Sequence, residues 1–138
     1  MHSRTERSLT NGEYRVLARF RFALRVFLRF SEDAARQAGM TPNQHQLLLA
    51  IRGFPDGAPT IGEVADWLQL RHHSTVELID RAVGADLVAR TTDPEDRRRQ
   101  RLALTDRGER LLASLSAAHR EELRRFREEM AEVLRELG

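Results

Sequence analysis

The sequence predicts a mainly α-helical chain with one small β-hairpin. Long stretches repeat apolar residues at helical spacing, and two capping-box signatures mark helix starts between them. A pair of short alternating segments, joined by a polar turn, is typical of two strands. A chain of 138 residues is long enough for one domain whose core needs neither disulfides nor a metal.

Composition excludes several classes of protein. The chain contains no cysteine, which excludes disulfides and thiolate metal sites and favours the cytoplasm. No apolar run approaches the roughly 20 residues that cross a bilayer, so we expect no membrane insertion and no secretion. All 23 basic residues are arginine, and the formal net charge is only +2. The placement of the arginines therefore matters more than their number.

The first predicted helix runs over about residues 13–37. Its apolar residues are Val16, Leu17, Phe20, Phe22, Ala23, Leu24, Val26, Phe27, Leu28 and Phe30. This apolar surface is wider than one neighbouring lobe usually covers. We expect part of it to pack against a second copy of the chain; the alternative is a central core helix.

Two capping boxes start the next helices. Thr41 and Gln44 flank Pro42 at the first start, and Thr60 and Glu63 mark the second. Residues 53–59 hold two prolines and two glycines and are predicted to form a loop.

A tight turn should follow the second of these helices. After a break near residues 70–71, a further helix is predicted over 72–85, with Val76, Ile79 and Val83 on its buried side. Two short helices joined in this way are typical of a helix-turn-helix.

The rest of the chain predicts a hairpin and a long helix. Strands are expected over 87–92 and 100–105, separated by a polar tip over 93–99 that ends in three arginines. Thr105 is the predicted N-cap of a helix to the C-terminus. Its last part carries a coiled-coil-like seam formed by Leu123, Phe126, Met130, Val133 and Leu137. Glu121 and Arg125 are a predicted surface pair.

Together these elements are in the order of a winged helix-turn-helix with N- and C-terminal dimerisation helices. We predict a single domain over 1–138, a DNA-binding lobe over 41–105, and dimerisation helices over 13–38 and 106–138. The second helix of such a lobe enters the major groove, while the hairpin reaches the adjacent backbone or minor groove.

The leading turn of the second helix holds candidate DNA contacts. These are Arg71, His72, His73, Ser74 and Thr75. The alternative is ordinary capping, with Ser74 and Glu77 as a capping box. His72 and His73 do not predict a metal site, because adjacent helical residues do not face each other.

Two further motifs resemble a known family. The first motif is Asp93, Pro94, Glu95, Asp96, Arg97 and Arg98, followed by Leu102, Leu104, Thr105 and Gly108. The second is Leu78, Ile79, Asp80 and Arg81, followed by Leu87, Val88, Ala89 and Arg90. Through them, the stretch from Thr41 to about Leu112 resembles the MarR family of bacterial transcriptional regulators. Where that family usually has glycine before the Leu-Val pair, this chain has Asp86, which adopts a left-handed conformation at modest cost.

The resemblance implies roles for the hairpin tip. Arg98 is the wing arginine expected to enter the minor groove, and Asp96 is expected to brace the tip. Arg97 and Arg99 would hold phosphates or neighbouring groove edges. The alternative is a solvated arginine cluster, but three arginines at a hairpin tip after a helix-turn-helix favour DNA contact.

The resulting functional hypothesis is a homodimeric regulator, and most simply a repressor, on palindromic double-stranded DNA. In the family, small aromatic or phenolic anions bind between the dimerising helices and the DNA-binding lobe and weaken DNA binding. The sequence does not identify such an effector or its site, and a regulator that senses no small molecule fits equally well. No cofactor is expected, and no phosphate loop, zinc-protease motif or nucleophile elbow indicates an enzyme. The alternative is a helical protein-protein interaction module without DNA binding.

Several remaining residues favour structural roles. We expect Asp80 and Arg90 to form an internal brace and Gly108 to permit close packing. Trp67 and Tyr14 could line a pocket, but such residues more often complete a core. The lone histidines His45 and His119 are more often structural than pH-sensing.

Overall fold

The structure, a computed structural model, describes residues 8–137. Five helices and two strands occur within these residues. They are α1 (Asn11–Gln37), α2 (Pro42–Arg52), α3 (Ile61–Leu68), α4 (His72–Gly84), β1 (Val88–Thr92), β2 (Gln100–Leu104) and α5 (Asp106–Leu137). These elements confirm the predicted fold class, mainly α-helical with one two-stranded β-hairpin.

The chain divides into two compact units. One, the lobe, is Glu32–Ala117; the other, the helical unit, comprises residues 8–31 and 118–137 of the described chain. The lobe therefore extends beyond the predicted range of 41–105. Residues 1–7 and 138, which belong to the predicted domain and dimerisation ranges, lie outside the described residues.

Threonine side chains begin α2 and α3 as predicted. The Thr41 hydroxyl accepts a hydrogen bond from the Gln44 amide at 3.1 Å, and the Gln44 side chain accepts one from the Thr41 amide at 3.1 Å. Thr60 and Glu63 form the same reciprocal pair. Both capping boxes are confirmed because each satisfies two backbone N–H groups that a helix start leaves free.

The turn between α3 and α4 is tight. Gln69 caps α3 in the left-handed conformation at φ 55°, and its amide donates to carbonyls of the last turn. Arg71 is the N-cap of α4 and makes no side-chain capping bond. Since Ser74 lies inside the first turn of α4, the alternative of a Ser74–Glu77 capping box is wrong.

The buried face of α4 differs from the prediction. Thr75, Ile79 and Ala82 are fully buried, while Val76 and Val83 are only half-buried. The buried face is thus rotated relative to the prediction, and a small polar residue, Thr75, occupies a core position. Its hydroxyl donates to the Arg71 carbonyl at 2.9 Å, so the polar group is satisfied without water.

One hydrophobic core fills the lobe. It draws side chains from α2, α3, α4, both strands, the start of α5 and two connecting segments, namely Met40, Leu47, Leu48, Ile51, Val64, Ile79, Ala82, Leu87, Val88, Leu102, Leu112 and Leu115. Leu102 of β2 is fully buried in it, which anchors the hairpin beside the helices. Burial of a leucine of this kind contributes about 1.5–3 kcal/mol.

The hairpin is antiparallel, with Val88 opposite Leu104 and Thr92 opposite Gln100. Asp86, before β1, is left-handed at φ 58°, as expected for the position where the family usually has glycine. A side chain on Gly108 would collide with the Leu87 carbonyl, so the expected close packing at this glycine is confirmed.

Thr105 connects β2 with α5. Its hydroxyl donates to the Asp86 carbonyl at 2.6 Å and accepts from the Gly108 amide at 3.0 Å. Thr105 is thus the N-cap of α5, as predicted.

The helical unit contains an aromatic cluster. The Phe27 and Phe126 ring centroids lie 5.3 Å apart, and Phe30 meets His119 edge to face at 5.6 Å. Nε2 of His119 lies 2.9 Å from the Ser31 hydroxyl oxygen. His119 therefore makes structural contacts, in agreement with the expectation.

Surface pairing on α5 differs from the prediction. Glu121 pairs with Arg124 at 3.3 Å and Glu122 with Arg125 at 3.3 Å, so the expected Glu121–Arg125 pair is wrong. Residues three apart are helical neighbours just as residues four apart are, and Glu122 provides Arg125 with a closer partner.

Many large apolar side chains of the helical unit are exposed in the single chain. They are Leu9, Tyr14, Leu17, Phe20, Phe22, Val26, Leu28, Leu123, Leu134 and Leu137. Tyr14 is exposed rather than part of a core, contrary to expectation, and so is Trp67 of the lobe. Among the described residues, none of the helices is both long and apolar enough to cross a membrane.

Candidate nucleic-acid interface

The wing tip, residues 93–99, is a closed polar turn. The Asp93 amide donates to the Arg99 carbonyl and the Arg99 amide to the Asp96 carbonyl, both at 3.0 Å. The Asp96 carboxylate accepts from the Arg98 amide at 3.0 Å. Asp96 therefore braces the tip through its own turn, which agrees with the role that the resemblance implied.

The three wing arginines point away from the core. The Arg98 side chain is 94% exposed, and its guanidinium lies 3.6 Å from the Asp96 carboxylate. Arg99 lies 4.0 Å from the same carboxylate, while Arg97 is exposed and makes no ion pair within residues 8–137. Asp93 is paired with Arg101, so two carboxylates, those of Glu95 and Asp96, remain beside the three arginines and leave a small excess of positive charge at the tip.

The leading turn of α4, residues 71–75, presents three exposed side chains. Arg71, His72 and His73 are exposed and Ser74 is half-buried. The structure does not place Thr75 with them: its side chain is buried and bonded to the Arg71 carbonyl. Thr75 is accordingly removed from the candidate contacts, because a buried hydroxyl with a backbone partner does not reach a DNA groove.

One cleft of about 980 Å³ brings the two predicted elements together. His72 of the leading turn lines it, as do Arg97, Arg98 and Arg99 of the wing tip. Three acidic residues also line the cleft, namely Asp56, Glu63 and Asp66. The cleft thus has basic groups on the wing and acidic groups toward α3, and an anion would be attracted only to the wing side.

A buried acidic residue at the base of the wing was missed as a functional group. Asp93 was named only as the first residue of the wing motif, with no role of its own, yet its side chain is 6% exposed and lies 3.2 Å from Arg101. Its carboxylate also accepts the Glu95 amide at 2.9 Å. This amide, followed by the charge of Arg101, holds the pKa of Asp93 below its ordinary value, against the opposing effect of burial.

A sequence signal for this pair did exist. Arg101 stands opposite Thr91 in the hairpin, so an aspartate just beyond β1 is within reach of an arginine on the returning strand. The alternation of β2 also directs Arg101 away from the buried face of Leu102.

The residues expected to be structural behave mostly as expected. Asp80 and Arg90 form the expected ion pair, which lies at the surface, since the Asp80 side chain is 57% exposed. His45 is buried in α2. The Trp67 ring packs edge to face on the Phe54 ring, with the two ring centroids 6.0 Å apart, although the Trp67 side chain is exposed. Within the described part of the chain, no group of three or more His, Asp or Glu side chains is placed to hold a metal ion.

Comparison with known proteins identifies related chains. The sequence profile described as MarR family matches residues 38–99. The HTH-type transcriptional regulator YsmB of Bacillus subtilis (strain 168) is 37% identical over 92 residues, which is 67% of this chain. The match spans 62% of the length of that relative, which is less than two thirds of it.

Solved structures share the fold. AbsC, a MarR family transcriptional regulator from Streptomyces coelicolor, matches with a TM-score of 0.76 at 22% identity, covering 95% of this chain and 90% of its own. Sco3205, a MarR family regulator from the same organism solved in complex with DNA, matches with a TM-score of 0.73 at 22% identity, covering 96% and 89%. At these identities the likeness shows a common fold. The profile match assigns residues 38–99 to the MarR family of transcriptional regulators, and the B. subtilis relative is similar to this chain over 92 residues.

Proposed function

We propose that this chain is a sequence-specific DNA-binding transcriptional regulator. The observation that carries the proposal is the cleft that both the leading turn of α4 and the arginine wing line. A recognition helix in a major groove and a wing on the adjacent backbone or minor groove require such a common side. That Sco3205 was solved in complex with DNA supports the same use of this fold.

The members of the family are transcription regulators, which confirms the prediction that the chain is not an enzyme.

The proposed contacts fall into two groups. Arg71, His72, His73 and Ser74 approach bases or phosphates from the leading turn. Arg98 enters the minor groove, Asp96 braces it, and Arg97 and Arg99 hold phosphates or groove edges. Because the acidic residues of the cleft repel phosphates, the DNA backbone should follow the wing and avoid α3.

The active form is proposed to be a homodimer. Phe22 and Leu134 of the helical unit are 66% and 62% exposed in the single chain, and further apolar side chains surround them in sequence. An apolar surface of this kind is typical of a surface that a partner covers. A twofold dimer would place two recognition helices on a palindromic operator.

Repression is the proposed output, in the cytoplasm where the DNA lies. Release by a small aromatic or phenolic anion is part of the proposal because the family resemblance implies it. Sodium salicylate is a suitable first probe, and a lower DNA affinity in its presence would support release.

The first experiment measures binding of the purified protein to DNA from immediately upstream of its own gene, against scrambled DNA, at several salt concentrations. We expect selective binding by two protomers per site, with an affinity that falls steeply as salt rises. Weak, unselective binding would indicate that the operator lies elsewhere. Absence of binding even at low salt would contradict the proposal and favour the protein-protein interaction module.

A further inference from the structure

The base of the wing contains an ion pair that links three segments of the lobe. Asp93, just beyond β1, meets Arg101 of β2 at 3.2 Å. Nη1 of Arg101 also donates to the Ala58 carbonyl at 2.7 Å, in the loop that precedes α3. Glu63 of α3 lies 4.0 Å from the same guanidinium nitrogen.

Backbone contacts run beside this ion pair. The Leu102 amide donates to the Pro59 carbonyl at 2.8 Å, and Thr60 forms an isolated antiparallel bridge with Arg101. The hairpin is therefore attached along one strand to the loop before α3. Two strands alone are only marginally stable, so the orientation of the hairpin depends on these attachments.

The charged groups at this position are desolvated to different extents. The Asp93 side chain is 6% exposed and that of Arg101 is 31% exposed. Removal of one partner would leave the other charge partly desolvated and without its counterion. This destabilises a protein more than loss of an exposed ion pair does.

We propose that Arg101 is a positioning residue for DNA recognition, which holds the wing on the loop before α3 through Asp93 and the Ala58 carbonyl and so fixes the reach of Arg98. The inference rests on the proposed function. Arg101 acts through the hairpin: its fixed contacts lie at the base of the wing, while Arg98 lies at the tip and is 94% exposed.

The decisive variant is Asp93→Asn in the full chain. Asparagine keeps the oxygen that accepts the Glu95 amide, so the local turn is preserved while the charge is lost. An acidic group that merely lies near DNA repels it, and its neutralisation would strengthen binding. A positioning role predicts the opposite change in DNA affinity. We expect the affinity of Asp93→Asn for the selected operator to fall roughly tenfold, as for loss of one wing contact.

Glu95→Gln is the matched control. It removes the same charge two residues away, from an exposed side chain with no ion pair in residues 8–137. We expect it to leave affinity unchanged or slightly higher. Tighter or unchanged binding by Asp93→Asn would overturn the inference.

A double-variant cycle separates positioning from direct contact by Arg101. If Arg101 acts through the wing, Arg98→Ala should lower affinity much less in an Asp93→Asn background than in the wild type. Arg101→Lys should restore part of the affinity that Arg101→Gln loses. Full additivity of Arg98→Ala and Asp93→Asn would contradict the proposal.

Hydrogen exchange in the absence of DNA distinguishes failure of this inference from failure of the proposed function. The Leu102 and Asp93 amides should exchange faster in Asp93→Asn and Arg101→Gln than in the wild type, while amides of α2 stay protected. If the wild type binds no DNA, the proposed function fails. If the Leu102 and Asp93 amides exchange in the variants as they do in the wild type, the proposed attachment of the wing fails, whatever the result with DNA.

Discussion

At the scale of single residues, the wing arginines differ in what surrounds them. Arg98 is held at its backbone by Asp96, yet its side chain projects almost entirely into solvent. Its backbone is ordered before any ligand binds, so less freedom is lost on contact with DNA.

Replacing Arg98 by alanine should therefore lower the affinity for operator DNA by about tenfold or more. Thermal unfolding should be unchanged, because an exposed side chain contributes little to the fold. Titration of labelled operator at fixed salt measures the loss. Arg110→Ala is the control, since it removes one exposed arginine from the same lobe outside the cleft; equal losses from both variants would contradict a special role for Arg98.

The lowered pKa of Asp93 makes a pH prediction. The folded state favours the charged carboxylate, so the hydrogen bond from the Glu95 amide and the ion pair with Arg101 stabilise the lobe above the unfolded-state pKa of about 3.9. This contribution is lost as pH falls through the lower folded pKa. We expect wild type to be more stable than Asp93→Asn at pH 7, and we expect the difference to begin to shrink as the pH falls below about 4 and to disappear only below the folded-state pKa. Urea unfolding at a series of pH values measures it, and a difference that persists undiminished at pH 3 would be inconsistent with this account.

At the scale of elements, the segment that follows α4 is held through its backbone carbonyls by the first residues of α5 and by Thr105. Arg107 of α5 donates to the Ala85 carbonyl at the C-terminus of α4, and Gly108 lies against the Leu87 carbonyl. Thr105 adds its bond to the Asp86 carbonyl. The start of α5 thus secures the segment that joins the recognition helix to the wing.

Replacing Gly108 by alanine should destabilise the lobe by about 1–3 kcal/mol, because the new methyl group meets a backbone carbonyl that is unable to rotate away. Denaturant unfolding measures the change. Gly84→Ala is the matched control, since a side chain there meets nothing within 4 Å, and its stability should be equal or slightly higher. Equal effects of the two substitutions would contradict the close approach.

At the scale of the whole molecule, the helical unit has more apolar surface than the single chain buries. Val16, Ala23 and Val133 are buried, whereas Phe22 and Leu134 are exposed. A proposed second copy would cover this surface and bring two lobes onto one operator.

Leu134→Glu should weaken dimerisation on the order of tenfold or more, because a charge would be buried in the proposed interface. Sedimentation equilibrium measures the association, and circular dichroism reports whether the monomer stays helical. Leu134→Met is the matched control and should remain dimeric. A Leu134→Glu variant that dimerises as the wild type does would place the interface elsewhere.

The sequence by itself determined the order of the elements and most of their ends. Helix starts depend on local bonds such as that of Thr41 to Gln44, and a left-handed residue such as Asp86 can be expected from its own turn. The arginine cluster of the wing was visible for the same reason, since neighbours in a turn are neighbours in the chain.

Only the tertiary structure decided which side chains are buried and which distant groups meet. Thr75 was expected on the DNA side, but packing placed it in the core, where one bond to Arg71 satisfies it. Arg101 acquired its role because the hairpin lies against the loop at Ala58, 43 residues earlier in the chain. Local propensity acts over a few residues, whereas burial and ion pairs depend on what the folded chain brings to the same place, and so the positions of the contacts that support the wing emerged only with the fold.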